Sequence, residues 1–240
     1  LSRPAAGTQR PTLTPDPPRR YEPFPLTDMQ QAYLVGRSEG VAFGGVACHT
    51  YVEVSAAETD VARIEDAWNT LVDEIEALRM VLTPGGEQRV LATTPRYRIV
   101  VDDLRSLDEV ARRERLAATR ERMATQLLDP ESWPLFEICA SRLPDELRLH
   151  IDLDLLFVDA LSMMVVIEQW GRLLQGESLP PRPGLSLRDY VLAEERLRRE
   201  GAHEASRQFW LERAATLPPG PELPRLPGAV SGATTSRRQR

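Results

Sequence analysis

The sequence predicts an α/β fold, a mixed sheet flanked by helices, and three observations carry that expectation. Leu147, Leu149, Ile151 and Leu153 alternate with Arg148, His150, Asp152 and Asp154, the period of a strand with one core face and one face that is polar or lines a cavity. Directly after it, Met163, Met164, Ile167, Trp170 and Leu174 recur at helical spacing until Gly176 stops the run. Elsewhere strand and helix patterns interleave through both hairpins and crossovers, which favours a layered sheet over a barrel or bundle.

In chain order, residues 1–20 hold five prolines with little periodicity and read as a flexible or extended linker. Thr27 and Gln30 have capping-box spacing for a short helix that ends at Gly36. Cys48 to Ser55 alternates as a strand, and Thr59 opens a helix whose apolar stripe is Val61, Ile64, Trp68, Leu71, Val72 and Ile75. Leu78 to Leu91 reads as a hairpin around Pro84-Gly85-Gly86, and Arg96 to Val101 as a further strand. Ser106 to Leu128 is a long helix rich in Arg and Glu, with a solvated face. Phe136 to Leu143 pairs with Leu147 to Leu153 across Pro144-Asp145-Glu146. A last helical region spans Leu187 to Ala215 and stops where the prolines between Leu217 and Pro227 forbid a helix.

With 240 residues and 42% hydrophobic content, the chain can bury the core of one large domain or two small ones. Its 30 basic and 36 acidic residues are interspersed, which argues against a nucleic-acid partner. Every basic residue is Arg, so a Schiff-base lysine, a phosphate-loop lysine and a Ser-Lys dyad are excluded. Cys48 and Cys139 sit apart in alternating patterns and read as reduced, buried thiols in a cytoplasmic protein. No apolar run approaches the ~20 residues of a membrane span, so no membrane partner is expected. His49, His150 and His203 lack the spacing of a metal site. The start at Leu1 and the closing Ser-Arg-Arg-Gln-Arg read as a piece of a longer polypeptide.

Three motifs remain. Phe24 to Arg37 reads FPLTDMQQAYLVGR, Asp154 to Ser162 reads DLLFVDALS, and Leu217 to Pro224 reads LPPGPELP. Together and in this order they resemble the heterocyclization domains of nonribosomal peptide synthetases, within the condensation-domain superfamily. The first motif carries most of the resemblance, through Phe24, Pro25, Leu26, Thr27, Gln30, Ala32, Tyr33, Gly36 and Arg37. The resemblance covers about residues 21 to 240 and implies one lobe of a pair built like chloramphenicol acetyltransferase, with a substrate tunnel between the lobes. The organisation it implies is a linker over 1–20, an N-terminal acyltransferase-like lobe over 21–216, and a Pro-rich crossover over 217–240 towards a C-terminal lobe.

The family reaction joins a carrier-bound acyl or peptidyl donor to a carrier-bound Cys, Ser or Thr, then cyclodehydrates the product to a thiazoline or oxazoline. It implies no directly bound cofactor or metal. Phosphopantetheine arms arrive on peptidyl or aminoacyl carrier proteins, and an adenylation domain is the implied neighbour. An ordinary condensation domain carries H-H-x-x-x-D-G where this chain places Asp154, Leu155 and Asp159, so no imidazole base comes from that motif. The candidate catalytic residues are therefore Asp154, Asp159 and Ser162. A buried Asp154 could orient or shuttle a proton. Asp159 falls where a helix-capping acid belongs and is expected to satisfy a buried Arg as well, with Arg79 as its bracing partner. Ser162 would cap the helix or bond Asp159. Tyr33 and Arg37, four apart, are the candidate substrate-binding pair, Tyr33 by packing or by facing the tunnel, and Arg37 by pairing with an acid or binding a carrier-arm phosphate. The two acids are expected together at the mouth of a cleft. His150, in an H-x-x-x-D frame with Asp154, is the weaker alternative base of a condensation-like acyltransferase, and a noncatalytic half-domain that docks carrier proteins is the alternative of another class.

Overall fold

A computed structural model describes residues 12–40, 44–56, 60–181 and 184–220. The described residues fall into two compact units, residues 13–193 and a second that holds Thr12 and residues 194–220. Most of the expected linker and all of the crossover beyond Gly220 lie outside the described residues, as does Thr59.

The larger unit is built on a four-stranded sheet. Its strands are β1 (His49–Ala56), β4 (Val100–Asp103), β5 (Phe136–Arg142) and β6 (Leu147–Asp154), in the order β1-β6-β5-β4. β6 runs antiparallel to both its neighbours and β4 runs parallel to β5, so the sheet is mixed. A separate hairpin, β2 (Met80–Leu82) with β3 (Gln88–Val90), turns through the expected Pro-Gly-Gly, where Gly86 has a positive φ that a side chain would strain. The helices of this unit are α1 (Asp28–Gly36), α2 (Val61–Glu74), α3 (Glu109–Thr125), α4 (Ala160–Leu174) and the first half of α5 (Leu187–Arg199).

Strand alternation gives the sheet two unlike faces. Leu147, Leu149, Ile151 and Leu153 join Phe136, Ile138 and Ala140 on the apolar face, under α2 and α4. Trp68 of α2 sits at the centre of that layer, edge-on to Phe136 at 5.0 Å and 4.8 Å from Trp170 of α4. The opposite face carries His49, Tyr51, Glu53, Glu137, Asp152 and Asp154, and α3 crosses it with a row of polar links. Arg120 bonds Glu53 at 2.5 and 2.8 Å, Arg122 bonds Glu137 at 2.6 and 2.8 Å, and Gln126 bonds Asp152 at 2.6 Å. Only Met123 of α3 is buried, so this helix is held by charge and hydrogen bonds on one side and is solvated on the other, as its composition predicts. A second apolar cluster joins Phe24 and Leu26 to the hairpin and to Leu156, Phe157 and Val191.

Several expectations shift for identifiable reasons. The strand expected from Arg96 begins only at Val100, because α2 takes the earlier donors: Tyr97 N–H donates to Asn69 Oδ1 at 2.8 Å and Ile99 N–H to Glu65 Oε2 at 2.9 Å. The N-cap of α2 is Asp60, whose carboxylate accepts from Ala62 N–H at 2.9 Å. The last helical region is two helices, α5 and α6 (Glu204–Ala214), separated at Gly201 with φ of +83°. On α4, Val166 and Trp170 are the buried positions, while Met164 and Ile167 face outward beside Leu161 and Val165. The cysteines are free but half-buried rather than buried, and burial pushes the Cys139 thiol up to about 11. No helix among the described residues is long and apolar enough to cross a membrane.

If Trp68 is the hub of the apolar layer, Trp68→Ala removes its contacts with Phe136 and Trp170 at once. Chemical denaturation is expected to show a loss of about 3–5 kcal/mol; an unchanged midpoint would contradict that packing.

Candidate functional site

The site is assembled by α1. Thr27 caps it through Gln30, the side chain of each residue bonding the backbone N–H of the other at 2.9 and 3.3 Å. The same Gln30 is buried and continues outward. Its amide donates to Gln88 Oε1 at 2.8 Å and to the Leu156 carbonyl at 3.1 Å, while Gln88 returns a bond at 2.9 Å and also holds the Pro25 carbonyl at 2.8 Å. Phe24 exchanges backbone bonds with Gln88 at 2.9 Å in each direction. The first sequence motif is therefore a clamp that fixes α1 against β3 and the turn after β6.

At the other end of α1, Arg37 forms an ion pair with Asp154 and donates to the Leu128 carbonyl at 2.8 Å. Both charged side chains are buried, at 7% and 1% exposure. The other Asp154 oxygen accepts Leu156 N–H at 2.9 Å, so neither oxygen is bare. Of the two roles foreseen for Arg37, it takes the acid pairing, and its burial removes it from a carrier-arm phosphate. Tyr33 is half-buried against the second apolar cluster, in keeping with packing.

The two acids expected together at a cleft mouth differ in environment, Asp154 buried and Asp159 exposed. Asp159 is exposed and caps α4, accepting Ser162 N–H at 2.7 Å. The Ser162 hydroxyl, ahead of the backbone N–H groups, holds the Asp159 carboxyl below its usual range. The expected Asp159–Arg79 brace does not form. Arg79 is buried, but it serves carbonyls, bonding those of Val72 and Asp73 at the end of α2 and that of Leu91 at 3.0 Å. A helix end whose last carbonyls are orphaned is the physical reason a guanidinium is needed there.

His150 is no base for an incoming substrate. It is fully buried, which lowers its pKa, and both ring nitrogens are engaged: Tyr51 Oη lies at 2.7 Å from Nδ1 and Ser141 Oγ at 3.0 Å from Nε2. A consistent proton arrangement has Ser141 donating to Nε2, Nδ1–H donating to Tyr51, and Tyr51 donating to Glu53 at 2.9 Å. Arg120, followed by the Tyr51 hydroxyl, holds the Glu53 carboxyl down to about 2 against the opposing effect of burial.

Two residues not foreseen complete the polar face. His49, opposite Asp154 in the β1–β6 register, places Nδ1 at 2.5 Å from Asp152 Oδ1, and Gln126 occupies the other oxygen. The hydrogen bond that His49 donates to the Asp152 carboxylate raises the His49 pKa, outweighing the opposing effect of burial. The alternation that exposed Asp154 as a polar-face residue also contained Asp152, but the cross-strand partner could not be read from spacing. Among the described residues there is no cluster of three or more metal-ligating side chains.

A condensation-domain family model matches residues 22–239. Bacitracin synthase 1 of Bacillus licheniformis is 36% identical over 89% of this chain, and phenyloxazoline synthase MbtB of Mycobacterium tuberculosis 36% identical over 91%. The chain spans only 4% and 16% of those proteins. A crystal structure of the EpoB cyclization-docking bidomain from Sorangium cellulosum superposes with a TM-score of 0.84 at 34% identity, covering 92% of this chain and 45% of that one.

Two outcomes test this geometry. Removing one member of the buried pair, by Arg37→Met or Asp154→Leu, is expected to cost about 3–5 kcal/mol, with much of the loss recovered in the double variant; additive losses would show the ion pair to be unimportant. Asp159→Ala, by contrast, is expected to cost only about 1 kcal/mol, and Asp159→Asn less, because an exposed cap is all that is lost. Unfolding by Asp159→Ala would restore the bracing role.

Proposed function

This chain belongs to the condensation-domain family, and we propose that it is the N-terminal lobe of a nonribosomal peptide synthetase heterocyclization domain. The observation that carries this reading is the Arg37–Asp154 pair, which joins the last residue of the first motif to the first residue of the second across 117 positions of sequence. The two motifs that resemble heterocyclization domains form one mechanical unit.

The proposed reaction has two stages. The amine of a carrier-bound Cys, Ser or Thr attacks the donor thioester; an amide forms and the donor arm leaves as a thiol. The side-chain thiol or hydroxyl then adds to the new amide carbonyl, and the hemiaminal loses water to give the ring C=N bond. Proton delivery to the departing oxygen is the demanding part. Asp154, with both oxygens occupied, is proposed as the anchor of the strand-to-helix junction, and Asp159 with Ser162 as the pair that shapes the exposed start of α4. The partners are peptidyl and aminoacyl carrier proteins bearing phosphopantetheine, an adjacent adenylation domain, and a C-terminal lobe. The outward residues Leu161, Met164, Val165 and Ile167 of α4 suit contact with further protein. That same face also supports the second reading, a noncatalytic half-domain that docks carriers.

Intact-mass measurement of the carrier-bound product separates the two. The full-length protein supplied with both loaded carriers is expected to yield an azoline, 18 mass units (one water, on the order of 18) below the uncyclized amide, and Asp154→Ala is expected to reduce it at least about 10-fold. The 240 residues alone are expected to yield neither amide nor azoline. Turnover by the isolated chain would mislocate the chemistry, and an inert full-length protein would favour docking.

A further inference from the structure

We propose that His49, as the imidazolium held by Asp152, is a positioning residue for the Arg37–Asp154 pair. Asp152 is 1% exposed, and its direct partners are the neutral Gln126 amide and His49. A carboxylate so far from water needs a nearby cation, and of these two partners only His49 can become one. The 2.5 Å contact and the 14% exposure of the His49 side chain put that charge at the edge of the polar face, reachable by solvent protons.

The route from His49 to the site is short. Asp152 holds Gln126, the residue at the C-terminus of α3, and the Ala124 carbonyl also faces the His49 ring. Two residues beyond Gln126, the Leu128 carbonyl accepts the Arg37 guanidinium that pairs with Asp154. Residues 124–128 are thus held between His49 with Asp152 on one side and Arg37 on the other. Loss of the imidazolium leaves Asp152 buried without its near cation, and the least constrained response is movement of this segment, which carries the Leu128 carbonyl with it. The other charged and titratable groups on this face are Asp154 beside His49, Glu53, Tyr51, His150 and Arg148 further along the strands, Glu137 and Cys139 on β5, Arg120 and Arg122 on α3, and Arg37 at the end of α1; Arg148 is held by Glu146 and Glu53. Glu53 is taken by Arg120 and Glu137 by Arg122, and Arg122 reaches Asp152 only as a distant field, so neither arginine replaces His49.

The direction with pH follows. Because the folded His49 pKa is raised, its contribution is fully present below the ordinary value of 6.5 and is lost as pH rises through the folded value. The effect on catalysis rests on the heterocyclization reading, whereas the effect on the segment does not. The test compares full-length wild type with His49→Gln, which keeps a hydrogen-bonding side chain but never a charge, from about pH 5 to about pH 9. Peptide-resolved hydrogen exchange over residues 122–128 is expected to be faster in His49→Gln at the acid end and equal to wild type at the alkaline end. Azoline formation is expected to fall about 10-fold in the variant at the acid end, with the ratio converging towards one as wild type loses its proton. Asp152→Asn should abolish the pH dependence of both ratios. A ratio that stays constant with pH, or identical exchange in the two proteins throughout, overturns the proposal. Should wild type form no azoline, the functional reading fails, and the exchange measurement alone still decides whether His49 positions the segment.

Discussion

The Arg37–Asp154 pair is the constraint on which the rest of the site depends. Two opposite charges with almost no access to water need most of their remaining hydrogen-bonding groups engaged to offset the loss of hydration. Leu156 N–H engages the second Asp154 oxygen and the Leu128 carbonyl a second Arg37 nitrogen, leaving the buried Arg37 Nε unpartnered, and these two bonds tie the turn after β6 and the segment after α3 to the end of α1. Gln30 ties the other end of α1 to the same turn through the Leu156 carbonyl. A nine-residue helix is too short to be stable alone, so its position is dictated by these polar anchors and by Phe24 and Leu26 in the apolar cluster beside it.

The same economy governs β6. Its apolar face makes the core with α2 and α4, so its other face must bring His150, Asp152 and Asp154 into the interior too. Each then needs its own partner: Tyr51 and Ser141 for His150, His49 and Gln126 for Asp152, Arg37 for Asp154. Covering this face with an apolar helix would strand those groups. A charged helix, α3, covers it instead, its Arg120 and Arg122 pairing with Glu53 and Glu137 and Gln126 at its C-terminus with Asp152, which explains a long Arg- and Glu-rich element lying against the centre of a sheet.

Much of this was legible in the sequence where one element decides the outcome. The alternation of β6, the capping box of α1, the stripe of α2 and the hairpin turn at Gly86 are local patterns, and they appear where expected. What could not be read were pairings between distant elements. Asp159 was expected to serve both α4 and Arg79, but the cap fixes it at the surface, and Arg79 is claimed by carbonyls much nearer in sequence. Arg37 was legible as a guanidinium free to find an acid, yet which acid depends on β6 ending beside α1. The spacing of His49 speaks only against a metal site, because its partner Asp152 lies across the strand pair, where spacing carries no information.

The departure from the imidazole motif acquires a physical meaning in this setting. An imidazole at the junction would offer a neutral base to a substrate. A carboxylate at Asp154 is drawn into an ion pair, and the next residue, Leu155, is half-buried and has nothing to offer a proton. The junction is thereby turned from a proton acceptor into a rigid anchor. Under the proposed heterocyclization reading, such rigidity would serve a reaction that ends in loss of water, since the hemiaminal must be held while a proton reaches its departing oxygen. Under that reading, groups that move the proton stand where Asp154 does not reach, because the exposed start of α4 has its first-turn Ser162 N–H capped by Asp159 and offers a fixed edge rather than a base.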